Sequence, residues 1–238
     1  LVGMNLDLAH LMRPGTLQLS ALPPLSVYVH LPWCLKKCPY CDFNSHEWRG
    51  QDLHQAEQAY LDAVCADLEA GLPLIWGRSV QSIFIGGGTP SLFSPAGIER
   101  LLADLRARLR LVADCEITLE ANPGTTEQQR FVGYREAGIN RLSLGVQSFR
   151  PAQLQALGRI HSGQEALTAV GQARSAGFEN INIDLMHGLP QQTPEQAMED
   201  IDQALALSPE HLSWYQLTLE PNTAFFSHPP PLPEEEAL

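Results

Sequence analysis

Residues 26–43 read Ser26-Val-Tyr-Val-His-Leu-Pro-Trp-Cys34-Leu-Lys-Lys-Cys38-Pro-Tyr-Cys41-Asp-Phe43. The opening of this stretch, β-branched and aromatic, has the composition of a strand, and three cysteines follow in a loop with C-x3-C-x2-C spacing. Three thiolates within eight residues can hold three corners of a cubic iron–sulfur cluster. No fourth cysteine is near enough in sequence to close it, whereas ordinary electron-transfer clusters use four. One iron is left open for chemistry, and the loop that leaves it open sits at the C-terminal end of a β-strand.

Working outward, the same strand-to-loop step recurs. Apolar, β-branched runs at 26–32, 80–86, 116–121, 141–147, 180–186 and 211–218 predict six strands. Between them, helical spacing covers 54–70, 95–110, 126–137, 152–157 with 163–176, and 194–207. Thr193-Pro194 starts the last helix, and Gly138 and Gly177 stop two others. Strands alternating with helices imply parallel pairing through right-handed crossovers. Cys34, Gly87, Glu120, Gln147 and Asp184 all fall at or just beyond strand ends. In a barrel those ends share one mouth, whereas a doubly wound sheet gathers ligands at one switch point. Five such ends favour an α/β fold of the partial (β/α)6, TIM-like barrel type.

The 238 residues, 44% of them apolar, suffice for one substantial core. A formal charge of −12 with no Lys/Arg block repels polyanions, so nucleic acid is not an expected partner. No apolar run approaches the length of a membrane span, and no basic-then-apolar leader opens the chain; a soluble, cytoplasmic protein is expected. Residues 1–25 read as an N-terminal extension and 26–228 as the core domain. The Pro-rich residues 229–238 read as a linker toward a further C-terminal domain, with Pro233-Glu-Glu-Glu236 resembling a helix start.

Of five cysteines, Cys65 and Cys115 lie in a predicted helix and at a predicted strand edge and read as small apolar residues. The clustered three have a zinc-knuckle alternative with His30, Asp42 or His46 as fourth ligand. Zinc knuckles usually pair two ligand units, and the chain has no second one.

The Gly86-Gly-Gly-Thr-Pro90 turn is neither a phosphate loop nor G-x-G-x-x-G. It reads either as a tight strand-to-helix turn or as a backbone surface for a small charged ligand; on the second reading Gly87→Val leaves the fold intact. Beside an open cluster, that ligand is S-adenosylmethionine, cleaved to a radical. Glu120 reads as a solvated charge or a ligand carboxylate, Arg159 as a surface ion pair or a ligand residue, and Tyr40 as loop packing or ligand cover. His30 and His187 sit at strand ends expected to face the mouth.

Tyr28-Val-His-Leu-Pro-Trp-Cys34, Cys38-Pro-Tyr-Cys-Asp-Phe43-Asn, Gly86-Gly-Gly-Thr-Pro-Ser91, Leu144-Gly-Val-Gln-Ser-Phe149, Gly158-Arg-Ile-His161 and Ile183-Asp-Leu-Met-His-Gly-Leu-Pro190 together resemble a radical S-adenosylmethionine family. It is that of the heme chaperone HemW and its close kin, the oxygen-independent coproporphyrinogen III dehydrogenase HemN. The resemblance implies a [4Fe-4S] cluster on Cys34, Cys38 and Cys41. It implies S-adenosylmethionine contacts from Tyr28, Tyr40, Gly87 and Glu120, and a second site around Gly88, Thr89, Gln147, Arg159 and Asp184.

Position 43 separates the two branches. The dehydrogenase pattern continues to C-x3-C-x2-C-x-C, and this chain has Phe43 in place of the fourth thiol. The resemblance therefore points to heme, carried as cargo to acceptor hemoproteins, some of them membrane-bound, with a flavodoxin-type donor as reductant. Oxidative decarboxylation of coproporphyrinogen III in porphyrin biosynthesis is the alternative. Whether the chain is an enzyme stays open on this reading.

Overall fold

A computed structural model describes residues 22–75 and 77–233. Most of the expected N-terminal extension and of the Pro233–Glu236 helix start lie outside the described residues. Six strands form one parallel sheet: β1 (Leu25–Leu31), β4 (Ser79–Gly87), β5 (Arg110–Ala121), β6 (Arg141–Gln147), β7 (Ile181–His187) and β8 (His211–Gln216), paired in that order. A two-stranded parallel ribbon, β2 (Trp33–Cys34) with β3 (His46–Glu47), brackets the cysteine loop. The crossovers carry α1 (Leu53–Ile75), α2 (Pro95–Arg108), α3 (Thr125–Gln128), α4 (Phe131–Ala137), α5 (Pro151–Ala156), α6 (Gly163–Ser175) and α7 (Pro194–Ala206), and a short α8 (Ala224–Ser227) follows β8. Among the described residues no helix is long and apolar enough to cross a membrane.

Alternation along the strands separates two faces. Val29, Leu31, Ile83, Ile85, Ile117, Leu119, Leu142, Leu144, Ile181 and Ile183 are buried in one core with Ile98, Leu102 and Leu105 of α2, Tyr134 of α4 and Ala166, Ala169 and Ala173 of α6. Each large apolar side chain buried there contributes roughly 1.5–3 kcal/mol. The other face mixes polar side chains with Tyr28, Phe84 and Met186. Ser82 donates to Ser26 at 2.8 Å, and Asn182 joins Ser143 and Ser213 at 2.9 Å each.

Laid flat, six strands would set β1 and β8 about 24 Å apart, yet residues at the ends of the strands from β4 to β8, together with the loop after β1, line a single cavity of about 510 Å³. The sheet is therefore curved into a partial barrel, open between β1 and β8, which do not pair.

Three differences from the sequence reading have local causes. β5 begins at Arg110, not 116, because Arg110 and Leu111 pair with Ser79 and Val80 before a register shift. The helix expected over 126–137 is two helices, interrupted around Arg130, whose guanidinium donates to Ser91 O and Leu92 O at 2.8 Å each. The helix expected to run to 110 ends at Arg108, where the chain turns extended at Leu109. The expected stops hold: Gly138 and Gly177 have φ of 112° and 89°, values glycine adopts without a Cβ penalty. Thr193 and Gln196 close a capping box on α7.

Candidate functional site

The cysteine loop is pinned at both ends. His46 N donates to Pro32 O at 2.7 Å and Trp48 N to Cys34 O at 2.8 Å, while Lys37 Nζ ties the loop's far side to Phe43 O and Ser45 O at 3.1 and 2.9 Å. Trp33 stacks on Phe93 with ring centroids 5.3 Å apart and meets Trp48 and Tyr60 edge-on or tilted, which anchors the start of the loop in apolar packing. Cys34, Cys38 and Cys41 all line the cavity. Burial pushes the Cys34 thiol up, opposed by hydrogen bonds with Thr89 and Ser45. Among the described residues no three His, Cys, Asp or Glu side chains converge as ligands of a single ion do. Sulfurs around one zinc lie about 3.8 Å apart given 2.3 Å bonds, whereas a cubane spreads its thiolates over separate irons.

The glycine turn lies against this loop through backbone. Gly88 N donates to Leu31 O and Thr89 N to Trp33 O, both at 2.8 Å. A Cβ on Gly87, whose φ is 124°, would sit 2.7 Å from Leu31 O, and one on Gly88 would sit 2.7 Å from Pro32 O. The glycines are thus demanded by the approach of two backbones, and the expectation that Gly87→Val leaves the fold intact is corrected. The cavity wall they form is main chain all the same.

Acidic and amide groups come up from β5, β6 and β7. Glu120 Oε2 accepts from Gly87 N at 3.1 Å. Burial pushes its carboxyl from 4.5 to about 7, against the pull of that N–H and with a further push from Asp184. Asp184 accepts from Ser143 at 3.0 Å and Asn182 at 2.7 Å; burial raises its pKa while Ser143, Ser213 and Asn182 lower it. At the end of β6 the register against β7 shifts between Gly145 and Gln147, and Gln147 is left-handed with φ of 69°. Such a bulge re-aims a side chain at a sheet rim. The following residues are held from α7, where the buried Asp200 accepts from Ser148 Oγ at 2.6 Å and Phe149 N at 2.8 Å.

Arg159 enters from the turn after α5 and is not the surface ion-pair residue of the alternative reading. Its Nη2 donates to Asn122 Oδ1 and Gly145 O, both at 2.6 Å, and its Nη1 reaches Cys38 Sγ at 3.6 Å. The buried His161 bonds Val146 O at 3.0 Å, and burial, helped by the Arg159 cation, lowers it to about 4, so it is neutral at pH 7.

The cavity collects Cys34, Cys38, Cys41, Tyr40, Gly87, Gly88, Thr89, Glu120, Gln147, Arg159 and Asp184. Tyr28 does not line it; its ring lies on the inner face below, beside Gly86, stacked with Phe84 at 6.3 Å. His30 is turned to the loop backbone, with Nε2 2.8 Å from Asn44 O. His187 faces away from the mouth, against Trp214 at 4.5 Å between ring centroids, because it is odd in an alternation whose even members, Asp184 and Met186, reach the cavity. Asn122 and Tyr215 also line the cavity and were not singled out from sequence. Asn122 follows Glu120 by two, and Tyr215 shares parity with Ser213 along β8, which are the signals that point to them.

A family model for the radical SAM superfamily matches residues 28–204. The heme chaperone HemW of Escherichia coli is 55% identical over 217 residues, 91% of this chain and 57% of that protein. Radical S-adenosyl methionine domain-containing protein 1, mitochondrial, of Mus musculus is 40% identical over 87% of this chain and 46% of its own length. The chain thus spans about half the length of these relatives. Among solved structures, coproporphyrinogen III oxidase (HemN) from Escherichia coli, a radical SAM enzyme, superposes with a TM-score of 0.79 at 34% identity, covering 90% of this chain and 49% of that one.

Proposed function

Because the chain belongs to the radical SAM superfamily, which implies a [4Fe-4S] cluster and S-adenosylmethionine, we propose that it is the cluster- and S-adenosylmethionine-binding core of a heme chaperone. The observation that carries the reading is the single cavity shared by three thiols, a main-chain glycine wall, a carboxyl and a guanidinium. These residues fit the group: three soft donors suit iron and sulfide, and the half-buried Arg159, whose shielded Nε is left unpartnered, is matched by an anion at the thiols. When bound, the cluster supplies an electron to a sulfonium.

Every other task falls to the chain. Cys34, Cys38 and Cys41 hold the metal. Glu120, ionised, takes the ligand's ammonium group, and the Gly87–Gly88 wall admits the methionine moiety closely. Tyr40, packed toward Phe225, keeps water from the thiols. Gln147 and Asp184 offer an amide and a carboxylate to a second polar ligand.

Heme as cargo rests on likeness to proteins named heme chaperone HemW and on Phe43, which lines the cavity where the dehydrogenase pattern has a thiol. Lys36 and Arg159 are the basic residues of the lining, few for pairing the four carboxylates of coproporphyrinogen III. Anaerobically reconstituted protein titrated with heme and with S-adenosylmethionine tests the reading. Saturable binding of both is expected; protoporphyrinogen formation from coproporphyrinogen III by the unaltered chain would replace the chaperone with the dehydrogenase.

A further inference from the structure

We infer that Arg159 sets the reduction potential of the cluster held by Cys34, Cys38 and Cys41, acting on the Cys38 sulfur as its fixed cationic hydrogen-bond donor. The inference rests on the cluster reading above and adds to it a role for one side chain.

The guanidinium is half-buried in the cavity wall, beside the cysteine loop. Its two short partners, Asn122 Oδ1 and Gly145 O at 2.6 Å each, are neutral, and Nε has no partner. Among the described residues, none of the ion pairs includes Arg159. A charge held partly out of water without a counter-ion carries a desolvation cost that a nearby anion offsets. Cys38 Sγ stands 3.6 Å from Nη1 and becomes anionic when the thiol gives up its proton to bind metal.

The geometry is also prepared in advance. Gly158 has φ of 67°, and a Cβ there would sit 3.0 Å from Pro39 Cδ, so the turn carrying Arg159 is seated on the cysteine loop itself. Arg159 N donates to Leu154 O at 2.9 Å and Phe225 N to Pro39 O at 3.0 Å, fixing the turn to α5 and the loop to α8. The other thiols see neutral donors: Ser45 Oγ stands 3.7 Å from Cys41 Sγ. The charge is therefore aimed at one corner.

Reduction adds one electron and one negative charge, and hydrogen bonds to sulfur together with net charge are what set such potentials. A cation held at the sulfur favours the reduced state. The consequence is a cluster that a donor of moderate strength can reduce while it remains a strong reductant.

The test is a mediator titration of the reconstituted protein with a europium(II) chelate, followed by electron paramagnetic resonance without S-adenosylmethionine. Iron and sulfide are counted first, so that absence of a cluster condemns the cluster reading and not the role of Arg159. In Arg159→Gln, the reduced-to-oxidised ratio at a given potential is expected to fall at least tenfold, equivalent to a midpoint about 59 mV lower for one electron. Arg159→Lys, which keeps the charge, shifts less in the same direction, and the exposed Arg150→Gln shifts not at all. Should Arg159→Gln fail to load, Arg159→Lys decides alone. An unchanged midpoint in a fully loaded Arg159 variant overturns the inference.

Discussion

The Tyr215 hydroxyl donates to Gln147 Oε1 at 2.8 Å, joining β8 to β6 over the end of β7, at a residue that is left-handed without being glycine. Two constraints thus converge on one amide: a strained backbone and a side-chain tether. Strain of this kind persists where surrounding structure holds it and collects at functional sites.

Tyr215→Phe removes the tether and little else. A neutral hydrogen bond is worth about 1 kcal/mol, so S-adenosylmethionine affinity, read by calorimetry on cluster-loaded protein, is expected to fall about fivefold if Gln147 serves a ligand. In the same position, Gln147→Gly should unfold at higher temperature than Gln147→Ala, by about 0.5–1 kcal/mol in stability, since glycine alone relieves the left-handed φ.

Glu120 makes the site pH-dependent. Its folded-state pKa of about 7 lies above its ordinary 4.5. The folded chain therefore binds more protons between these values, and stability is full below 4.5 and declines as pH rises through 7. Denaturant titrations of the cluster-free chain from pH 5 to 8 should show that decline, up to about 3 kcal/mol, and Glu120→Gln should flatten it. Binding of a cationic ligand runs the other way: affinity for S-adenosylmethionine should strengthen up to tenfold for each unit that pH rises toward 7, and Glu120→Gln should lose that dependence too.

Gly88→Ala puts a methyl group against Pro32 O and Trp33 O, at 2.7 and 2.8 Å. Both are main-chain atoms that cannot swing aside. The expected outcome is displacement of the cysteine loop, with iron content and S-adenosylmethionine binding falling together. Loss of ligand binding at full iron content would instead assign the glycine to the ligand alone.

Phe43→Cys restores the thiol of the dehydrogenase pattern at an exposed position on the rim. No protoporphyrinogen product is expected under reducing, anaerobic conditions, because Lys36 and Arg159 remain the basic residues of the lining. Product from Phe43→Cys would show that the missing thiol was the barrier.

Much of this site was legible because its parts are local. C-x3-C-x2-C lies within eight residues, and Glu120 and Gln147 close strands whose apolar runs mark their ends; Asp184, expected at a strand end, instead stands in the middle of β7, which runs on to His187, and reaches the cavity from the inner face. What escaped depends on distance or parity. His187 reads like Asp184 as a strand-end polar residue, but three residues on it projects to the opposite face. Tyr215 matters through Gln147, 68 residues away, and Asp200 through Ser148, 52 residues away; no short window holds either pair. The glycine turn was legible as a turn, while its cause, the carbonyls of Leu31 and Pro32, became visible only once β1 and β4 were paired.

The central claim is that three thiols hold a cubic cluster in this cavity, and metal and acid-labile sulfide per chain after anaerobic reconstitution measure it directly. About four irons and four sulfides are expected, with both lost in Cys38→Ser. One zinc per chain and no sulfide would contradict the account.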